Sequence, residues 1–255
     1  MTDDWEPYLT NVNGELASIL VNLGLRSIVP ITNNPWLLWI WVYFRSPRPD
    51  GLSSNEEAST LYAIEDAILA KLDGVCSSIH CGRITTAGRR EFYIYAAQNL
   101  GLDQTVKDAM RAFPQYQFDI GLLHEDNWNQ YLNVLYPSQD QMESIQNRKV
   151  LDVMSREGDI HSEVREVSHW LYFPSEPTRI DFIAAALAAG YPSYPEPPSS
   201  KPDDRPFGVV IQRTQSVEQK QIDTTVRELR ALADPFDGDY DGWEAQVITA
   251  SDTAH

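Results

Sequence analysis

The chain writes one structural unit twice, which limits what it can fold into. Trp41-Val42-Tyr43-Phe44-Arg45-Ser46-Pro47 recurs as Trp170-Leu171-Tyr172-Phe173-Pro174-Ser175, with Pro177 close behind. Each copy is an aromatic strand pattern cut off by proline and followed by a helical pattern. A repeat spaced by roughly 130 residues is too long for a solenoid unit and fits two tandem domains of similar build. A chain of 255 residues is long enough for both halves to bury a core without staples. The boundary is expected near Ser138, giving domains 1–138 and 139–255.

Residues 5–31 hold strand patterns around the turn dipeptide Asn13-Gly14. Residues 36–44 are a strand rich in Trp, Ile, Val, Tyr and Phe. Leu61, Ile64, Ile68, Leu69 and Leu72 fall on one helical face, with Gly74 past the end. Two alternating stretches, 78–84 and 91–97, flank Ala87-Gly88 as a hairpin. Asp103 is the expected N-cap of a second helix, and residues 117–123 form a last strand. Residues 128–157 have helical spacing in two pieces, broken at Pro137. In the second half a strand at 164–173 leads to a helix at 176–189 and a Pro/Ser/Asp-rich loop at 191–205. A strand at 207–213, a helix at 217–233 and a strand at 242–248 follow. Each half therefore reads strand, helix, strand, strand, helix, strand. That order is the split βαβ, or ferredoxin-like, unit: α+β, an antiparallel sheet with its helices on one face. The first half adds an N-terminal hairpin and the second an extra helix.

A strand with one wet face alternates apolar and polar residues. Residues 36–44 do not. Leu38, Ile40, Val42 and Phe44 share one face, while Trp39, Trp41 and Tyr43 share the other. Tyr93 and Tyr95 stand opposite Phe92 and Ile94, and Trp170 and Tyr172 oppose Leu171 and Phe173. Each sheet thus has a second, aromatic face needing cover, either from the other sheet, from a second subunit or from a partner chain.

Charge limits the partner. The net charge is −17, with 18 acids against 9 bases in residues 1–145 and 19 against 11 in residues 146–255. Such a field repels phosphate backbones and anionic lipid and attracts basic protein. Aromatic faces of ferredoxin-like sheets stack RNA bases in other proteins, but those faces lie within basic grooves. Neither direct nucleic-acid nor membrane binding is therefore expected. The residues after Met1 lack the basic and apolar parts of an export signal, the longest apolar run is too short to cross a bilayer, and the two cysteines suit a reducing compartment. The cytoplasm is the expected location.

The run Asp237-Gly238-Asp239-Tyr240-Asp241-Gly242 begins like a calcium loop, but its twelfth position is Ile248 instead of a carboxylate. Cys76 and Cys81, five apart in a strand, diverge. No metal or cofactor is expected, and no nucleophile elbow, P-loop or dinucleotide fingerprint occurs. Catalytic residues are therefore expected to be none.

The second half resembles a known family. Asn147-Arg148-Lys149-Val150-Leu151-Asp152, the strand ending Trp170-Leu171-Tyr172-Phe173, Phe207-Gly208-Val209-Val210 and Tyr240-Asp241-Gly242-Trp243-Glu244 resemble the regulator of ribonuclease E activity B family over about 143–248. The resemblance implies a small acidic ferredoxin-like protein that binds an endoribonuclease and lowers its activity. The first half is similar to a bacterial family of unknown function that often precedes such a domain, which the simple inhibitor lacks. The expected function is a non-enzymatic acidic regulator docking a basic protein surface, ribonuclease E or a related RNA-processing enzyme. The expected contacts are Asp237, Asp239, Asp241 and Glu244 for charge, with Tyr240 as an exposed anchor. Two alternatives stay open: a ligand-binding protein or hydrolase with its site between the domains, and a structural homodimer.

Overall fold

The computed structural model describes residues 3–195 and 205–252. The chain divides into two compact units, Met1–Ser138 and Gln139–His255. Both are α+β with antiparallel sheets.

The first unit runs β1 (Trp5–Val12), β2 (Glu15–Asn22), β3 (Trp36–Tyr43), α1 (Asn55–Asp73), β4 (Ser78–Thr86), β5 (Arg89–Ala96), α2 (Leu102–Met110) and β6 (Phe118–His124). Its sheet order is β1-β2-β4-β5-β3-β6. The last four are a split βαβ sheet, and the β1–β2 hairpin extends it past β4. Asn13 and Gly14 both have positive φ, 54° and 90°, as a two-residue turn matching strand twist requires. Ala87 and Gly88 repeat this between β4 and β5, with φ of 46° and 75°.

Leu38, Ile40 and Val42 on β3 and Phe92 and Ile94 on β5 form the main core with Leu61, Ile64, Ile68 and Leu72 of α1 and Val106 and Met110 of α2. Ser54 caps α1 by accepting the Glu57 N–H, so the helix begins at Asn55, ahead of Leu61 where the apolar spacing starts. The cap of α2 is Gly101, with φ of 78° and no side-chain bond. Asp103 is instead inside the first turn, paired 3.0 Å from Lys107, because the backbone at 101 needs a left-handed residue.

The second face of this sheet gets cover from within its own unit. The chain leaving β6 turns at Trp128 (φ 54°) and enters a π-helical turn, Tyr131–Leu135. The Trp128 ring lies 3.9 Å from Tyr95 at 7°, a flat stack, and its indole N–H donates to the Asn34 carbonyl at 3.1 Å. Glu125 accepts the Tyr95 hydroxyl and the Gln130 N–H. Tyr131 donates to the Asn22 carbonyl at 2.8 Å, and Tyr8 to the Leu135 carbonyl at 2.9 Å. Trp128 and Tyr95 are fully buried.

The second unit runs α3 (Gln139–Arg156), β7 (Arg165–Phe173), α4 (Glu176–Ala188), β8 (Ser193–Pro195), β9 (Phe207–Gln215), α5 (Gln219–Ala233) and β10 (Asp239–Ala245), in sheet order β10-β7-β9-β8. This is the same split βαβ order. Leu171, Phe173, Val209 and Ile211 pack with Phe182 and Ala186 of α4 and Leu229 of α5. Leu151 and Met154 of α3 join Val167 and Val226. All three helices therefore pack on the same side of the sheet. The loop expected over 191–205 contains the short β8, and residues 196–204 lie outside the described residues.

The two copies of the sequence repeat occupy the same topological position, the first strand of each split βαβ unit. In both, Trp and Tyr (Trp41 and Tyr43, Trp170 and Tyr172) face away from the helices and the following Phe faces the core.

Replacing Trp128 with Ala removes a buried stack and leaves a cavity. The expected loss is about 3–5 kcal/mol of stability in the first unit, read by urea denaturation. Leu187→Ala, at an exposed position on α4, should stay within about 0.5 kcal/mol of the parent. A Trp128→Ala loss as small as that of Leu187→Ala would mean that the second face does not depend on the stack.

Candidate interaction surface on the C-terminal unit

The acid-rich run ahead of the C-terminus begins where α5 ends. Asp234–Phe236 forms a short 3-10 turn, and Asp237 adopts φ of 54°. Gly238 follows because a Cβ there would lie 2.5 Å from the Phe173 ring and 2.9 Å from the Ala233 Cβ. The strand then starts at Asp239, three residues earlier than the apolar pattern marks it. Its register on β7 shifts at Asp241: Asp239 faces Tyr172 and Tyr240 faces Leu171, but the next pair is Gly242 with Trp170. Asp241 is the extra residue of a bulge.

That bulge sorts the side chains. Asp239 and Gly242 fall on the face of Tyr172 and Trp170, and Glu244 falls there beside Ser168. Tyr240 and Trp243 fall on the helix side with Leu171 and His169. Tyr240 is therefore not the exposed anchor the sequence suggests. It is half-buried against the core, and its hydroxyl pairs with His169 Nδ1 at 2.8 Å. Burial pushes the Tyr240 hydroxyl far up. Trp243 donates its indole N–H to Asn147 of α3 at 2.8 Å. Asp237, Asp239, Asp241 and Glu244 are exposed. Asp237 holds the Arg205 guanidinium at 2.8 Å, so part of its charge is already answered.

The helix-free face of this sheet reads in rows. Asp239, Tyr172 and Gly208 form one row; Gly242, Trp170, Val210 and Tyr194 form the next; Glu244, Ser168 and Gln212 form a third. Glu166 follows, paired with Thr214. Trp170 and Tyr172 are half-buried, and Tyr194 is 53% exposed. A Cβ at Gly242 would meet nothing within 4 Å, and its φ of 142° suits only glycine. The result is an aromatic strip with carboxylates on either side. Tyr194 and Glu166 escape sequence reading. Tyr194 sits on a three-residue strand inside a proline-rich stretch, and the signal for it is topological: a split βαβ unit needs a strand there.

The aromatic residues of the first unit share a face but are spent on local contacts. Trp39 lies over Gly121, where a Cβ would overlap its ring at 2.0 Å. Arg89 stacks on Trp41 at 4.2 Å. Tyr43 donates to Asp119 at 2.7 Å, and Tyr93 to Glu91 at 2.5 Å. Tyr93 and Tyr95 are buried. Sequence alternation groups these residues with Trp170 and Tyr172, but in the first unit the nearby carboxylates Asp119 and Glu91 are engaged by Tyr43 and Tyr93 and Trp41 is stacked by Arg89. Cys81 is buried and donates to the Tyr93 carbonyl at 3.1 Å, and burial pushes its thiol up. Among the described residues no group of three His, Cys, Asp or Glu is placed to hold a metal, and no helix is long and apolar enough to cross a membrane.

A family of unknown function, DUF695, has a model that matches residues 3–136, more than half of the chain. The chain belongs to that family. The remainder of this DUF695 protein matches a second model, regulator of ribonuclease activity B, over residues 144–245. That span contains β7 through β10 and the whole acid-and-aromatic face. No curated protein matches. Among solved structures, an unknown protein from Galdieria sulphuraria is 13% identical, covers 84% of this chain and 99% of its own, and has a TM-score of 0.21. A putative glycine cleavage system transcriptional repressor is 9% identical, covers 83% and 98%, and has a TM-score of 0.24. Scores this low carry no weight for fold or function.

His169, on the helix side of this sheet, connects the unit's stability to pH. It is fully buried, and its Nε2 has no partner. Burial first, and the Arg213 guanidinium second, push it down to about 4. The unfolded chain then binds the proton more tightly, since a free histidine titrates near 6.5. Stability is therefore full above about pH 6.5 and falls as pH drops toward 4, by about 3 kcal/mol from this residue. Denaturation curves at neutral and acid pH should show a shallower pH slope for His169→Gln. An imidazole resonance that titrates near 6.5 in the folded protein and is lost in His169→Gln would overturn this.

Proposed function

We propose that this protein is a non-enzymatic regulator whose C-terminal unit docks a basic region of a ribonuclease, ribonuclease E or a related RNA-processing enzyme. The observation carrying this is the row structure of the helix-free face. Asp239 and Glu244 lie on the same face as Trp170 and Tyr172, inside the span that matches the ribonuclease-regulator model. Asp241 and Asp237 extend the acidic rim beyond it.

The chemistry favours an arginine-rich protein partner. Guanidinium groups stack on aromatic rings and bind carboxylates through a planar fork. The strip offers both within one surface. Single-stranded RNA also stacks on aromatic sheet faces, but it needs cations beside the rings to hold its phosphates. Here the flanking groups are carboxylates, in a chain of charge −17. Complementary charge of this kind acts mostly on encounter rate and on rejection of wrong partners. Burial of Trp170 and Tyr172 by the partner would supply the affinity.

The test is binding of purified ribonuclease E to the full chain, with its RNA cleavage rate followed in parallel. Reversing Asp239, Asp241 and Glu244 to Lys should weaken binding about tenfold at about 0.1 M salt, from three exposed charges at roughly 0.5 kcal/mol each. The deficit should shrink toward about 1 M salt, where charges are screened within about 3 Å. Trp170→Ala should weaken binding at both salt levels. Unchanged affinity in the reversal variant, or tighter binding of single-stranded RNA than of the enzyme, would sink the proposal.

A further inference from the structure

The first unit contains a cavity that departs from the acidic character of the chain. It measures about 330 Å³ and lies on the helix side of the sheet, beside the N-terminal half of α1. Arg48, Arg83 and Arg90 line it, together with Ser18, Ser53 and Tyr62, and none of its lining residues is acidic. The β1–β2 hairpin makes this cavity. It carries the sheet past the helix layer, so Ser18 and Leu20 of β2 continue the floor begun by Thr85 and Arg83 of β4.

Two of the three arginines are already answered. Arg83 pairs with Glu65 at 2.5 Å, and Arg48 with Asp50 at 2.5 Å. The neighbouring Glu57 accepts the Arg45 and Ser46 N–H groups. Arg90 differs. It is only 4% exposed, yet its Nε and one terminal nitrogen have no hydrogen-bond partner. Its guanidinium and that of Arg83 both lie 5.1 Å from the Tyr62 ring. The Glu65 and Glu57 carboxylates act on Arg90 through their charge but bond neither of these two nitrogens, and buried guanidinium nitrogens without acceptors are costly unless something supplies them.

The geometry points to a binding site for a phosphoryl group, carried by a small organic molecule or present as the free ion. The Arg90 fork suits two oxygens of one phosphate. Ser54 and Asn55 at the start of α1 also line the cavity, and a helix leaves its first N–H groups without intrahelical partners and carries partial positive charge there. Leu20, Leu52 and Ala58 give the remaining wall an apolar character suited to an organic body, and a volume near 300 Å³ is at the small end for ligand sites. The wall at residues 47–53 is tied to the β4–β5 turn by the Gly88 N–H, which donates to the Gly51 carbonyl at 2.8 Å, and is closed on itself by the Arg48 N–H, which donates to the Leu52 carbonyl at 2.9 Å. The site is therefore built before any ligand arrives. It belongs to the first unit and does not depend on the regulator reading.

The experiment is calorimetric titration of the full chain with inorganic phosphate and with glucose 6-phosphate, with glucose as the uncharged control. Both phosphates should bind saturably and glucose should not. Arg90→Gln should weaken binding by at least about tenfold. Arg48→Gln, at the exposed rim, should weaken it less. Arg111→Gln, at an exposed arginine just past α2 and outside the cavity, should bind like the parent. Tighter binding of glucose 6-phosphate identifies an organic phosphate as the ligand; equal binding identifies the ion. If Arg90→Gln fails to fold by circular dichroism, Arg48→Gln decides the matter. No saturable binding of either phosphate, or equal binding by all variants, would overturn the proposal.

Discussion

The flat stack of Trp128 on Tyr95 is the contact on which the first unit depends. A split βαβ sheet with apolar residues on both faces needs two layers of cover, and two helices provide only one. The chain after β6 supplies the other. Trp128 holds a left-handed backbone, which costs a bulky residue about 1–2 kcal/mol. Its ring contact with Tyr95 and its bond to the Asn34 carbonyl offset that cost. Glu125 adds a second tie by accepting the Tyr95 hydroxyl and the Gln130 N–H. Tyr8 and Tyr131 then fasten the hairpin and the π-helical turn to each other's neighbourhood through buried carbonyls. Without this layer, Leu37, Tyr93 and Tyr95 would face water.

The second unit solves the same topology differently. Its additional element, α3, joins the helix side and enlarges the core there through Leu151 and Met154. Among the described residues no helix of its own unit covers the opposite face. One repeated sequence, Trp-x-Tyr-Phe, thus reads as a braced layer in one copy and as an aromatic strip flanked by carboxylates in the other. The difference comes from the neighbours. Arg89, Asp119 and Gly121 occupy the first copy, whereas Gly242, Asp239 and Glu244 flank the second.

Much of this was legible from residue types. Asn13-Gly14 marks a hairpin because both residues tolerate positive φ. The alternation in residues 36–44 assigns Trp39 and Trp41 to the face opposite Ile40 and Val42. What escaped reading has local causes. The bulge at Asp241 breaks the period of two, so Tyr240 and Trp243, three apart, share a face that simple alternation would deny them. Tyr240 reads as exposed because it sits among aspartates, and only the register sends its hydroxyl to His169. Three residues of β8 give too little pattern to separate from a proline-rich loop. The cavity beneath α1 was out of reach, since Ser18, Arg48, Arg83 and Arg90 come from four separate segments.

The bulge has one more consequence, for the way another chain can attach. A sheet whose outermost strands present regular, unpaired backbone groups can recruit an extra strand from a partner. Neither outer strand of the second sheet is fit for this. At one side β10 breaks its hydrogen-bond rhythm at Asp241 and carries exposed carboxylates at 239, 241 and 244. At the other, β8 is described over Ser193–Pro195, and Pro195 has no N–H to give. Main-chain pairing is thereby discouraged on both flanks, and with it uncontrolled self-association by strand addition. On the proposed regulator reading, recognition at this sheet falls to side chains on its face, so selectivity depends on ring and charge placement rather than on a partner's ability to become a strand.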